Sequence, residues 1–209
     1  MFHKEQTINK KDTKQKYDLN TYKNICYVLF YNNSIYVILS AEYSMIKTSG
    51  IKLPDITVRN SWTRDCVFIL GLTADAFKIF GEYTDSISEW MTSGTTETFI
   101  AEINSSPLGF AMVTPIITTT QEYKEAILGY ELLAIAVKNE YRGLGIGEVL
   151  FKACLDRVAR SDAYYLSLHT ASENIAAQSL FKKFNSHYGQ FCPNFYPNGQ
   201  DAIEMCCFL

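Results

Sequence analysis

From residue 56 onward, apolar and polar positions fall into short blocks with clear periods. "ITVR" (56–59) reads as a strand. "DCVFILGLTADAFKIF" (65–80) carries apolar residues at helical spacing and predicts a helix closed by Gly81. "SISEWM" (86–91) predicts a second helix, with Ser86 as its candidate cap. "TFIAEI" (98–103) and "LGFAMVTPIIT" (108–118) flank the turn "NSSP" and predict a hairpin. "AILGYELLAIAV" (126–137) is apolar almost throughout, as a strand covered on both faces must be. A glycine-rich turn follows, then a helix over 147–161, the strand "YYLSLHT" (164–170) and the helix "NIAAQSLFKKF" (174–184). Two closing strands are predicted near 188–196 and 202–208. A meander, then strand–helix–strand–helix, then a hairpin is the order of an α/β domain with a mixed sheet.

The first ~50 residues break this pattern. Residues 3–18 are polar and lysine-rich, the composition of chain without fixed structure. "ICYVLFYNNSIYVIL" (25–39) is apolar and β-branched. After a basic stretch it could serve as a signal or membrane anchor, but a span needs ~20 apolar residues and Asn32-Asn33 interrupts the run. A β-hairpin turning at the two asparagines is the favoured reading. "MIKTSGIKLPD" (45–55) reads as a linker. The expected organisation is an arm over 1–50 and one domain over 56–209.

Composition narrows the function. With 19 Lys+Arg against 22 Asp+Glu the formal net charge is −3, which gives no electrostatic ground for a nucleic-acid partner. Six cysteines lie scattered without metal-ligand spacing, two of them adjacent at Cys206-Cys207. They read as reduced thiols of a cytoplasmic protein, with no metal site.

The turn "YRGLGIGE" (141–148) carries the most specific chemistry. Glycines 143, 145 and 147 let the chain turn sharply and bare backbone N–H groups at a helix N-terminus, where an anion can settle. The spacing is G-x-G-x-G, whereas a dinucleotide site wants G-x-G-x-x-G early in the chain with an acidic residue about 20 positions on. A mononucleotide loop would need Gly-Lys-Ser/Thr, which is lacking here. A purely structural tight turn remains open on this stretch alone.

Arg142, Gly143, Leu144, Gly145, Ile146 and Gly147 match the [QR]-x-x-G-x-[GA] signature of the GNAT family of acetyl-CoA-dependent N-acetyltransferases. "LLAIAVKNEY" before it resembles the family's fourth strand, and "SENIAAQSLFKKF" after it resembles the fourth helix. The tail "NFYPNGQDAIEMCCF" is similar to the closing hairpin of ribosomal-protein alanine acetyltransferases and their N-terminal acetyltransferase relatives. The resemblance covers 56–209. It implies a GNAT fold: a mixed sheet of about six to seven strands, helices on both faces, and a V-shaped splay between the fourth and fifth strands. It also implies that acetyl-CoA is the acetyl donor. Its pyrophosphate would lie on the turn from Arg142 to Glu148, and its pantetheine arm would pair with the backbone of Ile135, Ala136 and Val137. Asn174 matches a position near the cofactor, and is equally well placed to cap the fourth helix.

Acetyl transfer by direct amine attack needs a group that takes a proton and no nucleophilic side chain. Two polar residues interrupt apolar strands: Glu131, eleven positions before Arg142, and His169, five before Asn174. Each resembles a general-base position in some family members, and each could equally be structural. An imidazole, with its ordinary pKa of ~6.5, suits proton removal near neutrality, which favours His169. The chain departs from the family at Phe181, where a tyrosine usually serves as general acid. Tyr196 could reach the site from the closing hairpin. The loop "FGEYTDSISEW" (80–90) offers Glu82, Tyr83 and Asp85 toward the acceptor. The expected acceptor is a protein or peptide N-terminal α-amine. A small-molecule amine, or a non-catalytic acyl-CoA-binding module, are the alternatives.

Overall fold

The computed structural model describes residues 55–119 and 126–209, and the backbone of three strands before them. The chain divides into two units, Met1–Leu53 and Pro54–Leu209. In the first, β1 (Cys26–Tyr31), β2 (Ser34–Leu39) and β3 (Met45–Lys47) form an antiparallel sheet in the order β1-β2-β3, with Tyr31 opposite Ser34. Residues 45–47, read as the start of a linker, are therefore strand. The lysine-rich stretch 3–18 and the Asn32-Asn33 turn lie outside the described residues.

In the second unit the elements run β4 (Thr57–Asn60), α1 (Cys66–Ala76), α2 (Thr84–Thr92), β5 (Glu97–Ile103), β6 (Ser106–Thr119), β7 (Ala126–Val137), α3 (Ile146–Val158), β8 (Tyr165–Ala171), α4 (Ile175–Lys182), β9 (His187–Cys192) and β10 (Ala202–Phe208). The strands form one seven-stranded sheet ordered β4-β5-β6-β7-β8-β10-β9. Every neighbouring pair is antiparallel except β7 and β8, which are parallel and joined through α3. Asn104 and Ser105, at φ 50° and 62°, make the tight β5–β6 turn with the left-handed backbone that matches strand twist.

Strand alternation sorts the core into two layers. Phe99 and Ala101 of β5 pack under α3 with its Leu150, Phe151, Cys154 and Val158. Ile100, between them, joins Ile69 and Leu72 of α1 and Ile87 of α2 on the opposite face. From α3, Arg157 pairs with Glu97 at the start of β5 (2.6 Å). At the start of α1, Arg59 holds both Asp65 (2.7 Å) and Glu102 (2.9 Å), and the Asp65 carboxylate also accepts the Trp62 N–H (2.7 Å).

Several helix boundaries differ from the sequence reading, with α3 ending at Val158 instead of Ser161 and α4 at Lys182 instead of Phe184; two of the shifts have a visible cause. Helix α1 stops at Ala76 instead of Phe80: the carbonyls of Ile79 and Phe80 accept hydrogen bonds from the Asn198 side chain and backbone, so this segment serves the C-terminal loop. Helix α2 starts at Thr84 with Tyr83 as its cap residue, so Ser86 lies inside the helix and caps nothing. The last predicted strand pair is also shorter at its first member, since β9 ends at Cys192 and 193–201 form a connecting loop.

Candidate active site

The site begins with a defect in β7. Met112 of β6 faces Ala134 and Val113 faces Leu132, which leaves Leu133 as an extra residue. This bulge resets the alternation. Tyr130 and Leu132 pack toward α3, Leu133 and Ala134 both pack toward α1, and Ile135 and Val137 return to the α3 side. On its other edge β7 pairs with β8 only over Tyr130–Leu166, Glu131–Ser167 and Leu132–Leu168. From Leu133 to Val137 that edge has no strand partner among the described residues. This is the splay expected between the fourth and fifth strands of the domain's first five. Backbone groups of alternate residues there are free to pair with a ligand lying along the strand.

The opened strand leads into the glycine turn. The Lys138 N–H bonds the Leu108 carbonyl (2.9 Å), and Asn139–Tyr141 make one tight turn. Arg142 is exposed and its Nε donates to the Val137 carbonyl (3.2 Å), tying the turn back to the strand end. Gly143 and Gly145 take left-handed φ values of 77° and 82°, and a Cβ added at either would meet nothing within 4 Å. Both therefore border open space that a ligand could fill. Ile146 is buried and anchors the start of α3, whose first i→i−4 bond is from the Val149 N–H to the Gly145 carbonyl (3.1 Å). The N–H groups before it face out of the helix end. Gly147 has a different reason: its Cβ would come within 3.2 Å of Leu180 on α4. Glu148 turns its carboxylate to Lys183 at the C-cap of α4, and Leu144 is half-buried beside Gly145.

Glu131 and His169 meet across the splay. The Glu131 Oε1 lies 3.4 Å from the His169 Nδ1, although they stand 38 positions apart in the chain. Phe195 stacks on the imidazole at 4.4 Å and 14°. Both residues line a cavity of about 840 Å³ together with Ile135, Asn174 and Phe181. Asn174 caps α4, its side-chain oxygen accepting the Ala177 N–H (3.1 Å). Phe181 is 2% exposed and packs on Phe151 at 4.9 Å.

The far wall of the cavity is aromatic. Tyr196 stacks on Phe80 at 4.6 Å and meets Tyr83 at 6.4 Å, and Phe77 meets Tyr83 at 6.0 Å. Burial raises the pKa of both tyrosines, with Tyr83 adding to the effect on Tyr196, so both phenols stay protonated. Gly81, at φ 122°, lets Pro197 approach; a Cβ there would lie 2.8 Å from the Pro197 Cβ. Glu82 also lines the cavity, whereas Asp85 does not. Ala136, Val137 and the turn from Arg142 to Glu148 lie outside the cavity lining, beyond Ile135 along the same strand. Phe77, Trp90 and Phe195 were not singled out by sequence reasoning. The helical spacing of Phe77 and Phe80, and of Ile87 and Trp90, was a signal for the first two of these residues. Among the described residues, no group of three His, Cys, Asp or Glu side chains is gathered for a metal ion.

The fold is similar to that of Arabidopsis thaliana NAA60. That protein was solved with a bisubstrate analogue (18% identity, 74% of this chain and 98% of that one, TM-score 0.64). It was also solved with acetyl-CoA (15% identity, 74% and 99%, TM-score 0.64). The chain belongs to the acetyltransferase (GNAT) family, whose sequence pattern it matches over residues 63–185. A curated relative from Bacillus subtilis (strain 168), assigned provisionally as a ribosomal protein bS18-alanine N-acetyltransferase, is 41% identical over 76 residues. That match takes in 36% of this chain and 50% of the relative, so it spans about half the relative's length. An N-alpha-acetyltransferase of Sulfurisphaera tokodaii is 27% identical over 118 residues, 53% of this chain and 68% of that one. No helix among the described residues is long and apolar enough to cross a membrane.

Proposed function

We propose that this protein is an acetyl-CoA-dependent N-acetyltransferase that acetylates a protein or peptide N-terminal α-amine, with residues 56–209 as the transferase domain. The observation that carries the reading is the contact of His169 with Glu131 (3.4 Å) at the head of a splayed strand that runs on into the glycine turn. Acetyl-CoA supplies an acetyl group already activated as a thioester. Arg142, Gly143, Leu144, Gly145, Ile146, Gly147 and Glu148 would hold its pyrophosphate through backbone N–H groups. The backbone of Ile135, Ala136 and Val137 would pair with the pantetheine arm, and Asn174 would border it from the start of α4. The open space over Gly143 and Gly145 fits such a group.

His169 would take the proton from the attacking amine. An α-ammonium has a pKa of ~7.7–8.0 against ~10.4 for lysine, so neutralising it near pH 7 costs about 3 kcal/mol less. A histidine suffices for that task. The aromatic wall from Phe77 to Tyr83 and from Phe195 to Pro197 would seat the acceptor, with Glu82 near its charged end. The names of the bS18-alanine and N-alpha relatives support an α-amine acceptor. Five free cysteines among the described residues fit a cytoplasmic setting.

The test is acetyl-CoA turnover against a panel of free-amine peptides, their N-blocked lysine counterparts and small amines. The reading requires turnover of free α-amines. His169→Ala should lower kcat about 10²-fold with acetyl-CoA affinity unchanged. Preference for small amines would refute the acceptor assignment. Acyl-CoA binding without turnover would favour the second reading, a binding module, which Phe181 at the usual position of the general acid keeps open.

A further inference from the structure

Within the reading of His169 as the base, we infer that Glu131 is its positioning partner: the carboxylate fixes the neutral imidazole with its proton on Nδ1 and leaves Nε2 to receive the amine's proton. The geometry points one way. Nδ1 is buried and makes no hydrogen bond, yet the Glu131 Oε1 stands 3.4 Å from it. A buried ring nitrogen facing a carboxylate is favoured as a donor, since two acceptors face to face would leave both unsatisfied. Phe195 stacked at 4.4 Å restricts rotation of the ring about its own bond, so the two nitrogens do not readily exchange places. The side chains are 23% and 32% exposed, enough for a proton to leave by way of solvent after the transfer.

Other titratable groups are placed differently. Glu204 sits directly opposite His169 on β10, but its Oε2 accepts the Gln190 N–H (3.2 Å) on the far side, toward β9. Tyr196 reaches the cavity from the β9–β10 loop and stacks on Phe80. Glu82 and Tyr83 line the cavity from the α1–α2 connection. The Glu131 carboxylate is the group that faces the His169 Nδ1. The proton balance is then simple. The ammonium gives one proton to Nε2, and the lone pair so freed attacks the thioester carbonyl; the nitrogen sheds its second proton to water as the C–S bond breaks, and the departing thiolate takes a proton from water. The resulting imidazolium holds its Nδ1–H toward the Glu131 carboxylate, and the Nε2 proton later passes to solvent. Glu131 takes no proton in the transfer itself and acts only by orienting the ring, as the carboxylate of a Ser-His-Asp triad does.

The test reads the tautomer directly. The chain has three histidines, so ¹⁵N-histidine spectra are simple, and His169→Ala assigns the resonance. At a pH where the ring is neutral, His169 should carry its proton on Nδ1 in the parent. Glu131→Gln, which keeps an acceptor and the side-chain shape, should retain that tautomer. Glu131→Leu should lose it, and its kcat should fall at least about tenfold with the KM for acetyl-CoA unchanged. In a His169→Ala background, Glu131→Leu should cost nothing further. A parent tautomer with the proton on Nε2 overturns the inference. So does a Glu131→Leu loss that persists in full without His169, which would make Glu131 the base. The tautomer is measured without turnover, so failure to find an acetylated amine would count against the proposed function and leave this inference standing.

Discussion

If the left-handed Gly145 borders the diphosphate of the donor, charge at this position should control affinity separately from backbone strain. Its φ is 82°, and a Cβ there meets nothing within 4 Å. Asn and Asp are the side chains that best tolerate this backbone, at a cost of about 1–2 kcal/mol. The two are nearly the same shape and differ by one charge. A carboxylate about 5 Å from one phosphate charge is repelled by about 1 kcal/mol in water and about 3 kcal/mol at the effective dielectric of a protein surface. Gly145 is half-buried, so about 2 kcal/mol is expected, or about 30-fold in Kd between Gly145→Asn and Gly145→Asp. Folding should respond the other way, because an acid at a helix N-terminus is stabilised by about 0.5 kcal/mol. Calorimetric titration with acetyl-CoA and thermal melts of both variants give the comparison. The expected result is weaker binding by the Asp variant with a Tm equal to or above that of the Asn variant. Equal affinities in the two variants would refute a phosphate site at this turn.

Two further outcomes follow from contacts away from the base. Asp65→Asn removes one of the two carboxylate partners of Arg59, leaving Glu102, and should cost about 2 kcal/mol, read from urea unfolding. The Arg59 hydrogen bond, the largest influence, holds the Asp65 carboxyl below its ordinary pKa. Its contribution is therefore complete above about pH 4 and fades as pH falls through the folded value, so the parent should lose this increment in acid while the variant has none to lose. Gly81→Ala must push Pro197 away, since its Cβ would lie 2.8 Å from that ring at a φ of 122°. The acceptor KM should rise several-fold with acetyl-CoA affinity unchanged in the same assays.

Local pattern was enough for what local physics decides. The run 126–137 is apolar but for Glu131 because β7 is covered on both faces over most of its length, and its observed bounds are Ala126–Val137. The glycine turn was legible because Gly143 and Gly145 use φ values that few other residues tolerate. Helix α1 was overextended because the apolar Phe77 and Phe80 fit a helical period, but they spend their surface on Tyr83 and Tyr196. Ser86 has a capping side chain, yet the helix had already begun at Thr84. Neither outcome is decided by neighbours in sequence. Glu131 and His169 could each be picked out as a polar break in an apolar strand. Their contact depends on Glu131 standing beside Ser167 in the parallel register, with His169 two residues further along the same face. The aromatic wall joins 77–83 to 195–197, segments more than a hundred residues apart, and only the closed sheet brings them together.

Phe181 constrains the chemistry in a way that bears on the whole site. Its ring is 2% exposed and clamped against Phe151, so it is a core residue that also borders the cavity. It offers no proton to a departing thiolate. A coenzyme A thiol has an acidity comparable with that of cysteine, near ~8.5, so the thiolate can leave at neutral pH without a donor. Departure then needs only a site that does not penalise negative charge, and water can protonate the product afterwards. Burial keeps the phenols of Tyr83 and Tyr196 protonated, while their rings pack in the aromatic wall by stacking and edge contacts. On the proposed reading, the first proton lost by the attacking ammonium is the one left for the protein's own groups, and the second leaves to water as the C–S bond breaks. That first transfer needs one base with one fixed nitrogen. The Glu131–His169 contact, with Phe195 stacked on the ring, would supply that arrangement.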